Sequence, residues 1–392
     1  MSDIVIVGAK RTPIGSFQGQ FLPLSATDLG AAAIKAALEQ SGVNGNDVTE
    51  VIMGCVLPAG LGQAPARQAS LKAGLPVAAG CTTVNKVCGS GMKAVMLGHD
   101  AIKAGSSEVV VAGGMESMSN APYLLPKARG GMRMGHGQVL DHMFWDALQS
   151  PFDQQMMGIF GEMCADKYQF SRAQQDAFAI ASVERAMRAM NEGDFSAEIT
   201  PVTVKDRAGE NIHARDEEPP RCKVEKIPGL RPAFKPDGTV TAANSSSISD
   251  GAAATVLMSA HKAAQLGIEP LARIVAHATH AHEPEWFTTA PPFAIASVVR
   301  KAGWTMADVD LFEINEAFAA VTMAAMADNH LDHDKVNVNG GACALGHPVG
   351  ASGARILVTL LHALRRRGGR RGVASLCLGG GEAVAIAIEL PG

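Results

Sequence analysis

Short apolar runs recur along the chain at residues 4–7, 51–53, 109–111, 311–314, 373–376 and 383–388. Several are unbroken rather than alternating, the pattern of strands covered on both faces. Between them lie stretches with helical spacing. Residues 27–40 and 297–302 belong to such helices, and Leu357, Leu360, Leu361 and Leu364 form one apolar stripe. Strand runs alternating with amphipathic helices predict an α/β fold.

The pattern also repeats. Cys88-Gly89-Ser90-Gly91 opens an amphipathic stretch that ends at Gly105, followed by the run 109–111 and by Gly113-Gly114-Met115-Glu116. In the second half, Gly350-Ala351-Ser352-Gly353 opens a similar stretch ending at Gly368, followed by the run 373–376 and by Gly379-Gly380-Gly381-Glu382. Two related α/β halves packed together are expected. The middle differs. From about residue 120 to 250 strand-like runs are scarce, while Gly, Pro and charged residues are frequent. Ser171-Arg172-Ala173-Gln174 is a capping box that starts a helix reaching about Asn191. Residues 207–236 are polar and proline-punctuated, which predicts an irregular surface segment. Such an insertion suits a cap over a site or a subunit contact. The α/β pattern resumes at Asp250-Gly251-Ala252-Ala253-Ala254.

Composition narrows the class. The 392 residues are 47% hydrophobic, enough apolar material for two or three domains of ~100–200 residues each. The net charge of −4 argues against a nucleic-acid partner. No uncharged apolar run reaches the roughly 18 residues of a membrane span, and the first residues lack a basic-then-apolar leader. The seven cysteines, Cys55, Cys81, Cys88, Cys164, Cys222, Cys343 and Cys377, are irregularly spaced and contain no C-x-x-C pair. They are expected to be free thiols in a reducing cytoplasm. His277, His280 and His282 have loose spacing and no Cys or carboxylate repeated beside them, so no metal is expected. The basic cluster Arg365-Arg366-Arg367 reads as a solvated helix end that complements the dipole.

Four positions carry candidate chemistry. Cys88 follows a strand-like approach and precedes a helix, so its thiol is expected at a helix N-terminus, where backbone N–H groups and the dipole stabilise a thiolate. A small buried structural cysteine fits the same local pattern. His347 lies between Gly346 and Pro348 in a glycine-rich turn, suited to take a proton from Cys88, or simply packed there. Cys377 ends a strand ahead of Gly379, Gly380 and Gly381. It reads as a second acid/base thiol, with a glycine N–H after it to hold an oxyanion, or as a core cysteine. Asn315, after the run 311–314, sits where α/β sheets place site residues, and equally where a helix N-cap belongs.

Taken together, these segments resemble the thiolase family, and within it the acetyl-CoA acetyltransferase (acetoacetyl-CoA thiolase) branch. The resemblance is carried by residues 84–91, 313–319, 340–353 and 377–381, with support from 10–15, 113–119 and 244–254, in the same order along nearly the whole chain. It implies the five-layered αβαβα thiolase fold: an N-terminal half over 1–120 completed by 250–270, a loop domain over 121–249, and a C-terminal half over 271–392. It also implies ping-pong acyl transfer. Cys88 would be the nucleophile, His347 its activator and Cys377 the acid/base on the enolate. Asn315 would hold a water that forms one oxyanion hole with His347, and the N–H groups of Cys88 and Gly379 would form the other.

The same resemblance places coenzyme A against Ser246, Met157, Arg221, Ala317 and Phe318, as a substrate rather than a bound cofactor. Acetyl-CoA, acetoacetyl-CoA and CoA are then the partners, in a homotetramer assembled through the glycine- and methionine-rich stretch 129–142. Short-chain members often carry His before the Met-Gly pair; here the residue is Met156, and Ile159-Phe160-Gly161 follow where smaller polar residues are usual. A broad 3-ketoacyl-CoA thiolase of fatty-acid breakdown and a non-catalytic acyl-binding protein on the same fold are the competing expectations.

Overall fold

The computed structural model describes residues 3–206 and 209–392. Met1 and Ser2, at the start of the segment read for a leader, and Arg207 and Ala208, in the polar segment 207–236, lie outside the described residues.

Nine strands form one hydrogen-bonded path: β1 (Ile4–Arg11), β2 (Glu50–Gly54), β3 (Gly80–Val84), β4 (Val109–Ser117), β5 (Ser249–Ser259), β6 (Ala272–Ala281), β7 (Leu311–Ile314), β8 (Arg371–Leu378) and β9 (Glu382–Glu389). Their order is β7-β8-β9-β6-β1-β5-β4-β2-β3, and the two-residue strand Gly15–Ser16 pairs with β5. The helices that matter below are α1 (Ala26–Ser41), α2 (Pro65–Lys72), α3 (Ser90–Ala104), α4 (Met157–Tyr168), α5 (Arg172–Glu192), α6 (Pro291–Lys301), α7 (Ala319–Asn329) and α8 (Val349–Arg367). Every apolar run named above falls inside a strand. β5 begins where the α/β pattern was expected to resume at Asp250, and strands β3 and β6 carry no such run. The first is a partly exposed edge with the sequence GCTTV, and the second is interrupted by His277 and His280. Their pairing partners, rather than their own hydrophobicity, make them strands.

The two halves share one topology. β1 is antiparallel to β5, β5 antiparallel to β4, and β4 parallel to β2. In the second half β6 is antiparallel to β9, β9 antiparallel to β8, and β8 parallel to β7. The halves meet where Ile4, Val5 and Ile6 of β1 pair with Ile274, Arg273 and Ala272 of β6. The path bends around two central helices. α3 and α8 pack in one core with the inward residues of both half-sheets, among them Ile6, Val110 and Leu257 on one side and Leu376, Val384 and Ile386 on the other. α1 and α2 cover the outer face of the first half-sheet, and α6 and α7 that of the second. Five layers result. Each central leucine, such as Leu357 or Leu361, contributes about 1.5–3 kcal/mol on full burial.

The central helices touch backbone to backbone. A Cβ on Gly91 would lie 2.8 Å from the Ala354 nitrogen, and one on Gly353 would lie 2.5 Å from the Met92 nitrogen. The Ser-Gly pairs of the repeat therefore mark the crossing point, where only glycine lets both helix beginnings converge. The later glycines of the repeat do not correspond. Gly113 and Gly114 lie within β4, where a Cβ would reach 2.0 Å from the carbonyl oxygens of Ala253 and Gly350. Gly380 and Gly381 lie in the turn between β8 and β9 at φ +93° and +90°. One residue type serves close approach in the first half and turn geometry in the second.

Where β8 returns as β9 after three residues, β4 is separated from β5 by residues 118–248. This insertion carries α4 and α5. Ser171 and Gln174 form the reciprocal cap at the start of α5, which ends at Gly193. The polar segment expected to be irregular is partly ordered: strand Gly209–His213 pairs antiparallel with Val202–Asp206, and short 3-10 helices follow at Pro219–Arg221 and Val224–Gly229. Among the described residues no helix is long and apolar enough to cross a membrane.

Candidate active site

The first ends of α3 and α8 meet at the centre of the molecule, and each carries a candidate residue. Cys88 sits two residues before α3, in a tight elbow after β3. Val87 adopts φ +47°, a left-handed conformation that a β-branched residue resists at a cost of order 1–3 kcal/mol. Side chains hold it there: Asn85 Oδ1 accepts from the Val87 N–H at 2.9 Å, and Ser90 Oγ donates to the Val87 carbonyl at 2.6 Å. Gly89 follows because a Cβ there would strike Leu378 at 2.3 Å. Lys86 reaches the Glu382 carboxylate, tying the elbow to the start of β9.

His347 is set by the opposite device. Gly346 takes φ +100°, which glycine adopts freely. The His347 N–H donates to the Ser247 carbonyl at 3.1 Å. Nδ1 lies 2.6 Å from Ser352 Oγ, whose single proton goes to the Pro348 carbonyl at 3.0 Å. Ser352 therefore accepts from Nδ1–H, which leaves a lone pair on Nε2. Asn315 Nδ2 stands 3.5 Å from that Nε2, and Asn315 Oδ1 faces Arg355 Nη2 at 3.5 Å. Arg355 is itself buried and held by Glu313 at 3.0 Å. The guanidinium, a donor only, obliges the amide to turn its oxygen inward and its nitrogen toward the imidazole.

Cys88, His347, Cys377, Gly379, Met157, Ser246, Ala317 and Phe318 all line one cavity of about 60 Å³. Asn315 touches the imidazole from behind without joining the wall. Arg221 is elsewhere on the surface, 3.2 Å from Glu217. A larger cavity of about 320 Å³ lies outward, walled by Trp145 and Phe152 and sharing Ala147, Met157 and Gly379 with the inner one. Segment 244–247 is clamped against the chain after β7: Ser246 N and Oγ both donate to the Ala317 carbonyl, at 3.0 and 3.1 Å.

The electrostatics correct one expectation. Burial pushes the Cys88 thiol up to about 11, against the lowering by hydrogen bonds from the N–H groups of Gly379 and of Cys88 itself. The resting group is a thiol, because desolvation outweighs the helix end. Burial, and then the nearby Arg355 cation, lower the His347 imidazole to about 3, so it is neutral with its lone pair free. A neutral thiol and a neutral base share the chamber. Cys377 is held well above the ordinary thiol range by burial and then by the Cys88 sulfur, so it too keeps its proton. The two N–H groups that face the Cys88 sulfur are placed to receive an oxyanion formed on a carbon bonded to it.

Three supporting residues were not assigned from sequence. Ser352 belongs to the repeat motif, yet its bond to Nδ1 requires the first turn of α8 to fold back on His347. Arg355 shows only as a cation one turn further on. Glu116 was a motif letter. It is a buried carboxylate that accepts from the N–H groups of Val56, Leu57 and Gly350 at 2.9, 3.1 and 2.9 Å, fastening α8 to the first half, and burial pushes it up to about 7. A lone acid in a strand of small apolar residues was the available signal. For metals, the structure brings Asp100 and His99 beside His277, with Asp100 Oδ1 at 2.9 Å from both rings. None of the three lines the chamber.

Comparison with known proteins agrees along the whole chain. The profile "Thiolase, N-terminal domain" matches residues 4–261, and "Thiolase, C-terminal domain" matches residues 268–390. The acetyl-CoA acetyltransferase of Pseudomonas aeruginosa is 51% identical over 390 residues, covering 99% of each chain. Acetyl-CoA acetyltransferase 1 of Arabidopsis thaliana is 50% identical over 99% of this chain and 94% of its own. The crystal structure of the Bacillus anthracis acetyl-CoA acetyltransferase superposes with a TM-score of 0.97 at 42% identity, covering 100% of this chain and 99% of that one. Five layers built from two halves, and relatives matched from end to end, make this chain a member of the thiolase family.

Proposed function

We propose that this chain is an acetyl-CoA C-acetyltransferase that interconverts acetoacetyl-CoA plus CoA with two molecules of acetyl-CoA. The observation that carries the reading is that two protonated thiols and a neutral imidazole line one small chamber. In the thiolytic direction His347 Nε2 takes the Cys88 proton as the sulfur attacks C3 of acetoacetyl-CoA. The tetrahedral oxyanion is received by the N–H groups of Cys88 and Gly379. The C2–C3 bond then breaks, its electron pair moves to C2 as the enolate of acetyl-CoA, and Cys377 delivers its proton there. Acetyl remains on Cys88. The incoming CoA thiol gives its proton to the Cys377 thiolate and attacks the acetyl carbon, and Cys88 leaves and regains its proton from His347.

A thioester suits both directions, because the thiolate is a competent nucleophile and leaving group and the thioester carbonyl acidifies its α-carbon. The enolate oxygen is assigned to His347 and a water held by Asn315. The outer cavity, with Met157 at its boundary, is assigned to the thiol-bearing arm of CoA, with Ser246, Ala317 and Phe318 beyond the boundary and Arg221 toward the nucleotide. CoA is a substrate in this scheme, with no resident cofactor or metal. The exposed apolar residues Tyr123, Leu125, Met132, Met134 and Val139, together with the open edge strand β3, favour a homotetramer. Seven unpaired cysteines favour the reducing cytoplasm.

The test is to incubate the protein with acetoacetyl-CoA, trap it with acid before CoA is added, and map the acetylated peptide. Acetyl on Cys88 is expected. Stoichiometric acetylation of another residue, or release of acetyl-CoA with no acyl-enzyme, overturns the assignment.

A further inference from the structure

Ile159 and Phe160 occupy α4, the helix that walls the outer cavity. They point differently. Ile159 lines neither cavity, whereas Phe160 is 2% exposed, lines the outer one and sets its ring against Phe287. The two rings are 5.8 Å apart and inclined at 70°, the edge-to-face contact that aromatic quadrupoles favour. Phe287, buried at 4% exposure, faces the inner chamber on the other side. A second wall of the same kind adjoins it: Phe318 meets Phe234 edge-on at 6.3 Å and 84°, and Gly161 leaves the room that its ring fills. Both rings that face the chamber are thus backed by a second ring, and all four share one apolar cluster with Cys377.

The space enclosed is small. At about 60 Å³ it is less than a fifth of the outer cavity's roughly 320 Å³. An acetyl carbon bonded to Cys88 carries two substituents, one oxygen and one methyl. A longer chain on the same carbon would press on this wall, and the wall is braced rather than flexible: Phe287 cannot swing outward without displacing Phe160 from a buried position.

We propose that Phe287, braced edge-on by Phe160, is a specificity-determining residue that restricts the acyl group on Cys88 to acetyl and excludes longer 3-ketoacyl chains. This rests on the acetyltransferase reading. It selects that reading over a broad-range 3-ketoacyl-CoA thiolase on a steric ground.

The experiment compares kcat/KM for thiolysis of acetoacetyl-CoA and 3-ketohexanoyl-CoA in the full-length protein and in Phe287→Ala, Phe287→Leu and Phe160→Ala. The native protein should prefer acetoacetyl-CoA by at least about 100-fold, the discrimination that a tight pocket makes for one or two methylenes. Phe287→Ala should narrow that ratio at least tenfold. Phe287→Leu should narrow it less, and Phe160→Ala should narrow it without touching the chamber, by freeing the Phe287 ring. The proposal is overturned if the native protein turns over both substrates within about threefold, or if the ratio is unmoved in the Phe287 variants that fold and still cleave acetoacetyl-CoA. Native protein that forms acyl-enzyme only from longer substrates fails the acetyl restriction while leaving the thiolase chemistry standing. Native protein that cleaves neither substrate fails the underlying reading.

Discussion

The two central helices begin alike and reach the chamber by opposite means. Before α8 the chain turns through Gly346 at φ +100°, where glycine meets no Cβ penalty, and then delivers His347. Before α3 it turns through Val87 at φ +47°, where a branched side chain is strained, and then delivers Cys88. The strained turn is clamped by Asn85, Ser90 and the Lys86–Glu382 contact; the relaxed one relies on Ser352 and Ser247 to aim the ring. A nucleophile that gains and loses an acyl group benefits from a backbone whose N–H groups cannot retreat from its sulfur. A base needs only one nitrogen in the right place. The repeat duplicates the scaffold, and each copy has been given its own way of presenting a functional group.

Removing the group at each turn separates the two roles most sharply. Cys88→Ala should abolish acetyl-enzyme formation, a loss of about 10⁵-fold or more in thiolysis measured by acetyl-CoA release. Burst acylation persisting at the native level would show that the elbow does not carry the nucleophile. His347→Ala, which leaves the sulfur in place but removes its base, should slow acylation by about 10²–10⁴-fold in single-turnover traces. A change under about threefold would dissolve the distinction between the turns. Cys377→Ser alters the thiol that reaches the same chamber from the end of β8. It should depress solvent deuterium exchange at C2 of acetyl-CoA by about 10²-fold and acylation by acetyl-CoA much less. An equal loss in both would assign it to structure.

The backbone half of the comparison is tested by exchanging its devices. Gly346→Ala forces a Cβ onto φ +100° and to within 2.1 Å of Ser249 Oγ, and should destabilise the protein by about 2 kcal/mol in denaturant titration. Val87→Gly should leave stability within about 1 kcal/mol, because relief of strain is offset by the greater entropy of the unfolded glycine. Equal losses at both sites would mean that Val87 is not strained.

The smallest effect is in pH. With Cys88 up at about 11, the thiolate fraction grows tenfold per unit as pH rises toward that value, so iodoacetamide labelling should climb from pH 7 to 9.5 without a plateau. With His347 at about 3, protonation of the base is complete only below that value, so kcat/KM should show no acid limb near pH 6.5. A labelling plateau near pH 7 would restore the thiolate-at-rest picture.

Legibility followed locality. Buried strands announced themselves as unbroken runs, α5 by its capping box, and the central helices by a stripe and a terminal glycine. β3 and β6 did not, since an edge strand and a histidine-bearing strand are defined by the neighbours that pair with them. Cys88, His347 and Cys377 were visible because glycine clusters mark places where backbone must bend at a reactive group. Ser352, Arg355, Glu116 and Phe287 were not, since each matters through a partner distant in sequence or on the next turn.

What the amino-acid order determined by itself is therefore the list of parts: an α/β chain made of two related halves, a long insertion in the first, and a cysteine, a histidine and a second cysteine beside glycine turns. These follow from periodicity and from backbone sterics, which act over a few residues. What only the tertiary structure decided is that three reactive groups face one 60 Å³ space, that burial keeps the thiols protonated and the imidazole neutral, and that a braced pair of rings closes the wall. Desolvation and excluded volume are properties of the packed assembly, set by atoms brought from opposite ends of the chain.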